Sequence, residues 1–145
     1  PGTGHLTSGS VTIPILLYHS IGRDARPGDR FTVPLSRFEA HMGLLRERAC
    51  ESLTVPHLAD LLKSNRPLPP RPVAVTFDDY ADFAKLARPV LERHGIACTL
   101  YATTGQIGSP GMLTWDQLAE AGDREWRSEG TRTPTRSWIC FPGPR

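Results

Sequence analysis

The sequence lacks the features that define several large classes of protein. Its three cysteines, Cys50, Cys98 and Cys140, have no CxxC or zinc-ligand spacing, and their odd count argues against a complete disulfide framework. No apolar run reaches the length of a transmembrane helix. A formal net charge of +2, without a basic patch interleaved with aromatics, gives no indication of nucleic-acid binding. No signal peptide is visible, but the chain starts at Pro1 rather than Met, so a leader is not excluded and the compartment stays open, as does the oligomeric state.

The 145 residues, 39% of them hydrophobic and 22% charged, are enough for one modest globular domain. Strand-like and helix-like segments alternate along the chain, which is typical of parallel strands joined by right-handed crossover helices. Strands are predicted at residues 11–18, 52–55, 73–77 and 97–103. Residues 1–10 are rich in Gly, Ser and Thr and are predicted to be disordered.

Helices are predicted between and after these strands. Phe38, Met42 and Leu45 recur at helical spacing and predict the buried face of the first helix. The boundary signals are, in chain order, a capping box at Ser36-x-x-Glu39, Pro56 at a first helical position, Gly95 as the stop of residues 83–94, and a capping box at Thr114-x-x-Gln117.

The stretch with the most information about function is the end of the strand predicted at residues 73–77. This apolar, β-branched run ends in two adjacent carboxylates, Asp78 and Asp79. Like charges at contact distance repel, so a metal ion or a shared proton is needed to make such a pair tolerable. The carboxyl ends of parallel strands are also where α/β proteins place their sites. Taken alone, the pair would favour a loop start that caps the next helix.

Thr76-Phe77-Asp78-Asp79 resembles the first motif, Thr-Phe-Asp-Asp-Gly, of the polysaccharide deacetylase family, the NodB-type carbohydrate esterases. The resemblance runs from about residue 13 to residue 124, and further stretches match in order and spacing at residues 14–21, 68–72, 90–101 and 112–118. It implies that residues 11–124 form a partial deacetylase domain. The implied fold class is α/β, the first half of a distorted (β/α) barrel with parallel strands and outer helices.

The resemblance also implies a chemistry, the metal-dependent hydrolysis of N-acetyl groups of amino-sugar polymers. Asp78 is then the general base, Asp79 a ligand of a divalent metal such as zinc, and an N-acetylated polysaccharide the partner. His19, at the end of the first predicted strand, is adjacent to this site, although a hydrogen-bonded structural histidine is the favoured alternative. Family members are often exported or attached to the cell envelope.

The sequence departs from the family pattern at two places. Tyr80 stands where the family has Gly, which puts the carboxylate geometry and the start of the next helix in question. The family's second motif, His-Ser/Thr-x-x-His, is absent, since none of the five histidines follows His94. His41 and His57 are expected to be surface groups on helices, and Trp115 is expected to pack against the sheet rather than to stack on a sugar.

These departures leave two classes of function open. One is a deacetylase lineage whose present chain binds metal weakly and is inactive or nearly so. The other is a non-catalytic sugar-binding remnant or an inactive fragment. A phosphoreceiver domain also begins from paired Asp, but no later Asp or Lys is placed at a strand end as that function requires.

Residues 125–145 have no apolar period and are rich in Arg, Thr and Pro, so they are predicted to be an unstructured tail. Every Thr codon begins with AC, and in a frame one nucleotide earlier it becomes a His codon when the preceding base is C. Thr131, Thr133 and Thr135 then all become His, and permitted codons give the family's His-Thr-x-x-His. We therefore predict a frameshift near Arg124 rather than an unrelated tail.

Overall fold

The structure is a computed structural model that describes residues 11–24, 28–78, 82–121, 126–127 and 136–141. The strands are β1 Ile15–Tyr18, β2 Ser20–Gly22, β3 Thr32–Pro34, β4 Glu51–Leu53, β5 Pro72–Asp78, β6 Cys98–Thr103, β7 Trp126–Arg127 and β8 Arg136–Phe141. The helices are α1 Leu35–Glu47, α2 Val55–Lys63, a π-helical turn Phe83–Ala87, α3 Arg88–His94, a 3₁₀ turn Thr104–Gln106 and α4 Trp115–Ala121. Within these ranges, no helix has the length and apolar character needed to cross a membrane.

The centre of the main sheet is β5, which pairs in parallel with β1, β4 and β6. On one side β1 pairs with it, while on the other β4 pairs with its first residues and β6 with its last, so that Leu53 lies opposite Ala74 and Thr99 opposite Thr76. Every residue of β5 except Asp78 is buried, as is usual for a parallel strand covered on both faces. The parallel strands predicted from the sequence are therefore confirmed, with β1 and β4 shorter than expected.

One face of the sheet packs against α1 and α3. Its centre is a group of aromatic rings in which Phe77 contacts Tyr18, Phe38 and Phe83 at centroid distances of 5.5, 5.8 and 5.0 Å. Phe38 and Met42 of α1 are fully buried, as their helical spacing predicts. The predicted capping box at the start of α1 is wrong, because the helix already begins at Leu35 and Pro34 occupies the N-cap position without a side-chain hydrogen bond.

A smaller core forms where α2 packs on the sheet, and it contains Leu53, Leu58, Leu61 and Ala74. Thr54 caps α2 by accepting a hydrogen bond from the backbone N–H of His57, and Pro56 lies in its first turn as predicted. Two partly buried hydrogen bonds join this region to β6 and the residue before it. The Thr99 hydroxyl oxygen accepts from the Val55 N–H at 3.0 Å, and the Ser52 hydroxyl oxygen accepts from the Ala97 N–H at 2.7 Å.

The helix predicted at residues 83–94 is present but is not uniformly α-helical. It begins as the π-helical turn Phe83–Ala87 and continues as α3. Gly95 ends α3 in the left-handed region at φ 64°, as expected of a helix-stop glycine. The capping box at α4 is confirmed, since Thr114 N–H donates to Gln117 Oε1 at 2.9 Å and Gln117 N–H donates to Thr114 Oγ1 at 3.2 Å.

Residues 125–145 were predicted to be an unstructured tail, but two segments of this range, β7 and β8, are strands. β8 pairs antiparallel with β6, from Cys98 opposite Phe141 to Thr103 opposite Arg136, and β7 pairs with β8. The physical reason is that a strand edge carries backbone groups that need partners, and an extended chain beside it supplies them. The disorder predicted for residues 1–10 lies outside the described residues, as does the remainder of the tail.

Candidate active site

Asp78 is the last residue of β5 and lies at the carboxyl end of the parallel strands, as the sequence predicts. It is partly exposed, although the rest of β5 is buried, and it lies in register with Tyr101 of β6. Because side chains alternate along a strand, Asp78 shares with Thr76 the face opposite to the one that carries Phe77. Asp79, predicted as the metal ligand, and Tyr80 lie outside the described residues.

His19 reaches the same end of the sheet from the neighbouring strand. Tyr18, the last residue of β1, lies opposite Phe77, and His19 and Asp78 are the residues that follow these two partners. The His19 side chain is exposed, and its ring makes an edge contact with that of Phe31 at a centroid distance of 5.3 Å. The adjacency of His19 to the site stays a prediction.

Phe31 lies beside His19. The Ser20 N–H donates to the Phe31 carbonyl oxygen at 3.1 Å, and β2 pairs with β3 immediately afterwards. The side chain of Phe31 is 66% exposed. Sequence reasoning missed Phe31, and the available signal was a single aromatic residue at the end of a polar loop, directly before the extended segment Thr32–Pro34.

The other histidines take structural positions. His41 was predicted to be a surface group. It is instead half-buried, and its Nδ1 is 3.0 Å from the hydroxyl of buried Tyr18. Burial of the phenol raises the pKa of Tyr18 to about 12. His57 is exposed on α2 as predicted, and His94 is the last residue of α3, where its carbonyl oxygen accepts from Arg46 at 3.0 Å.

Trp115 is placed differently from the prediction that it packs against the sheet. It is the first residue of α4 and is 58% exposed, while Leu118 of the same helix is 3% exposed. The first turn of this short helix therefore presents its aromatic residue outward, and the core contact is made one turn later.

Comparison with known proteins decides the family. No protein-family profile matches the chain. The protein YxkH of Bacillus subtilis (strain 168), which is provisionally named a polysaccharide deacetylase, is 34% identical over 115 residues, or 79% of this chain and 40% of that protein. The Streptococcus pyogenes deacetylase PplD, solved in complex with acetate, is 28% identical with a TM-score of 0.67 over 76% of this chain and 51% of its own. The chain belongs to the polysaccharide deacetylase family.

Two further solved structures place this chain in the same fold. IcaB from Ammonifex degensii is 28% identical with a TM-score of 0.63, over 74% of this chain and 47% of its own. BC0361, a polysaccharide deacetylase from Bacillus cereus, is 27% identical with a TM-score of 0.61, over 74% of this chain and 34% of its own. The chain therefore spans about half or less of the length of these relatives. Its fold corresponds to part of their (β/α) barrel, which confirms the predicted fold class.

The described part of the chain does not by itself supply a zinc site, and the predicted ligand Asp79 lies outside it. A catalytic zinc takes three protein ligands and keeps one position open. Among residues 11–24, 28–78, 82–121, 126–127 and 136–141, no group of three His, Cys, Asp or Glu side chains lies close enough together to hold a metal ion. Asp78 and His19, which follow the paired residues Phe77 and Tyr18, are two side chains and are too few for that shell.

Proposed function

We propose that this chain is part of a polysaccharide deacetylase, a hydrolase of carbon–nitrogen bonds other than peptide bonds, and that in its present form it has little or no activity. The observation that carries the proposal is the position of Asp78, at the carboxyl end of the central parallel strand in a fold shared with known deacetylases. In this position the carboxylate accepts a proton from the water molecule whose oxygen bonds to the carbonyl carbon of an N-acetyl group. The carbon–nitrogen bond then breaks and the proton passes to the nitrogen, so that the products are acetate and a free amine on the sugar.

The proposed loss of activity follows from the missing imidazoles. The whole sequence has five histidines, and none follows His94. Among the histidines that the structure describes, His41 is bonded to Tyr18, His57 and His94 lie on helices, and His19 follows β1, the strand beside β5. With Asp79 as the one predicted metal ligand, the proposed divalent metal, zinc by family chemistry, binds weakly or not at all.

The tail supports a frame-shifted origin for this loss. A (β/α) barrel continues with a strand parallel to its neighbour. β8 runs antiparallel to β6, so residues 136–141 do not supply that next strand. We propose that the frame changes near Arg124 and that the corrected frame encodes His-Thr-x-x-His. Resequencing the gene tests this directly, and a confirmed reading frame without two histidines four residues apart rules the frameshift out.

The activity proposal is tested with two proteins, the present chain and a frame-corrected one, and with the Asp78→Asn variant of each. Zinc titration by calorimetry and an acetate-release assay on N-acetylglucosamine oligomers are run on all four. We expect weak metal binding and no turnover in the present chain, and turnover that depends on Asp78 in the corrected one. Tight one-to-one zinc binding with acetate release by the present chain contradicts the proposed inactivity. A corrected protein that releases no acetate contradicts the deacetylase assignment.

A further inference from the structure

We propose that Phe31 and His19 form an aromatic platform that binds a sugar ring of an amino-sugar polymer next to Asp78. This inference rests on the proposed function, because it takes the substrate class from there, but the platform itself is read from exposed side chains of this chain. It assigns a binding role to Phe31 that neither the motif nor the metal chemistry supplies.

The first argument is the exposure of Phe31. A single exposed apolar side chain on a protein surface is ordinary. Phe31, however, is 66% exposed and lies in ring contact with His19, whose side chain is also exposed. The two rings cross at an interplanar angle of 73°, so the Phe31 ring is supported by an edge contact.

The second argument is that the backbone holds Phe31 in place. Asp29 Oδ1 accepts hydrogen bonds from the Phe31 N–H at 2.9 Å and from the Thr32 N–H at 3.1 Å. On the other side of the peptide unit, the Phe31 carbonyl oxygen accepts from the Ser20 N–H at 3.1 Å. Because the backbone that carries the Phe31 ring is already fixed, less conformational freedom is lost when a ligand binds to the ring.

The third argument is the position of the two rings at the carboxyl end of the strands. His19 follows Tyr18, which lies opposite Phe77, the residue before Asp78, and Phe31 is in ring contact with His19. A polymer that presents one sugar to Asp78 and continues toward His19 places a neighbouring sugar over the Phe31 ring. One face of a pyranose is lined by C–H groups, which suit the electron-rich face of an aromatic ring.

A polar cleft adjoins the platform and suits the remaining surface of a sugar. Its volume is about 460 Å³, and its lining includes Ser20, Asp29, Thr32, Asp82 and Lys85. These hydroxyl, carboxylate and ammonium groups provide both donors and acceptors for sugar hydroxyls. An apolar ring beside such polar groups is the usual composition of a small-molecule site.

The test measures binding separately from hydrolysis. The full chain and its Phe31→Ala, Phe31→Trp and Leu62→Ala variants are titrated with the N-acetylglucosamine tetramer, with chemical shifts as the readout. Leu62 is the matched control because it is an exposed apolar residue, at 55%, on α2. We expect Phe31→Ala to weaken binding about 3- to 10-fold, as lost aromatic packing predicts, with Phe31→Trp and Leu62→Ala near the unmodified chain. Circular dichroism and thermal midpoints confirm that each variant is folded.

The possible outcomes separate this inference from the proposed function. Absence of tetramer binding at millimolar concentration, or equal weakening by Phe31→Ala and Leu62→Ala, overturns the platform whatever the acetate assay shows. Tetramer binding that depends on Phe31 supports the platform even if the frame-corrected protein releases no acetate, in which case the deacetylase proposal alone fails. Shift changes at the amides of residues 19, 20, 31 and 32 are expected to accompany binding.

Discussion

Replacing Thr99 with Val is expected to destabilise the fold by a polar effect alone. Thr99 is fully buried in β6, and its hydroxyl oxygen accepts from the Val55 N–H at 3.0 Å. Val55 is the first residue of α2, where the backbone N–H has no partner within the helix. Val has nearly the shape of Thr, so the substitution opens no cavity and removes only the hydroxyl, and with it the acceptor for the Val55 N–H. Leaving a buried donor unsatisfied costs about 1–3 kcal/mol, and we expect a loss of unfolding free energy in that range.

Urea denaturation followed by fluorescence measures the loss, and amide hydrogen exchange measures its cause. We expect the transition midpoint to fall at an unchanged slope, and the Val55 amide to exchange faster while amides in the middle of β5 keep their protection. Thr12→Val is the matched control, because Thr12 is exposed and its substitution is expected to change stability by less than about 0.5 kcal/mol. Equal stabilities of the two variants, or an unchanged Val55 exchange rate, would refute the reasoning.

Three further predictions each concern a single residue. The folded pKa of Tyr18, about 12, lies above its ordinary value of 10.0, so the folded state keeps this proton longer than the unfolded state. Unfolding free energy should therefore fall as pH rises from 10 to 12, by at most about 1.4 kcal/mol per pH unit, and Tyr18→Phe should flatten this part of a denaturation series. Thr114→Ala should cost about 1 kcal/mol of stability in urea by removing the α4 cap, whereas Thr114→Ser keeps it, and equal losses would contradict the capping role. Gly95→Ala should cost about 1 kcal/mol in thermal unfolding because of its positive φ, and an unchanged midpoint would argue against strain there.

The sequence predicts those parts of the fold that depend on local patterns. The apolar run before Asp78, the helical spacing of Phe38 and Met42, and the stop at Gly95 each predict their structure from a few neighbouring residues. The antiparallel pairing of β8 was missed because it depends on an edge that only the folded sheet presents. Short-range patterns contain no information about such an edge.

The candidate site divides in the same way. Asp78 was found from a contiguous motif, and His19 from its position at the end of a strand. Neither a motif nor a strand end indicates Phe31, because its place beside His19 arises from the pairing of β2 with β3 across an intervening loop. The His41–Tyr18 contact was missed for the same reason, because 23 residues separate the two partners in the chain.

The π-helical turn Phe83–Ala87 has a consequence for how this lineage can change. Such a turn fits an extra residue into the winding of the backbone, while the side chains of Phe83, its first residue, and of Val90, after it, stay buried in the core. We therefore expect one-residue insertions and deletions between Asp78 and Phe83 to cost little folding stability. Natural variation in length at this point would then be selected more by what the site must do than by whether the protein folds.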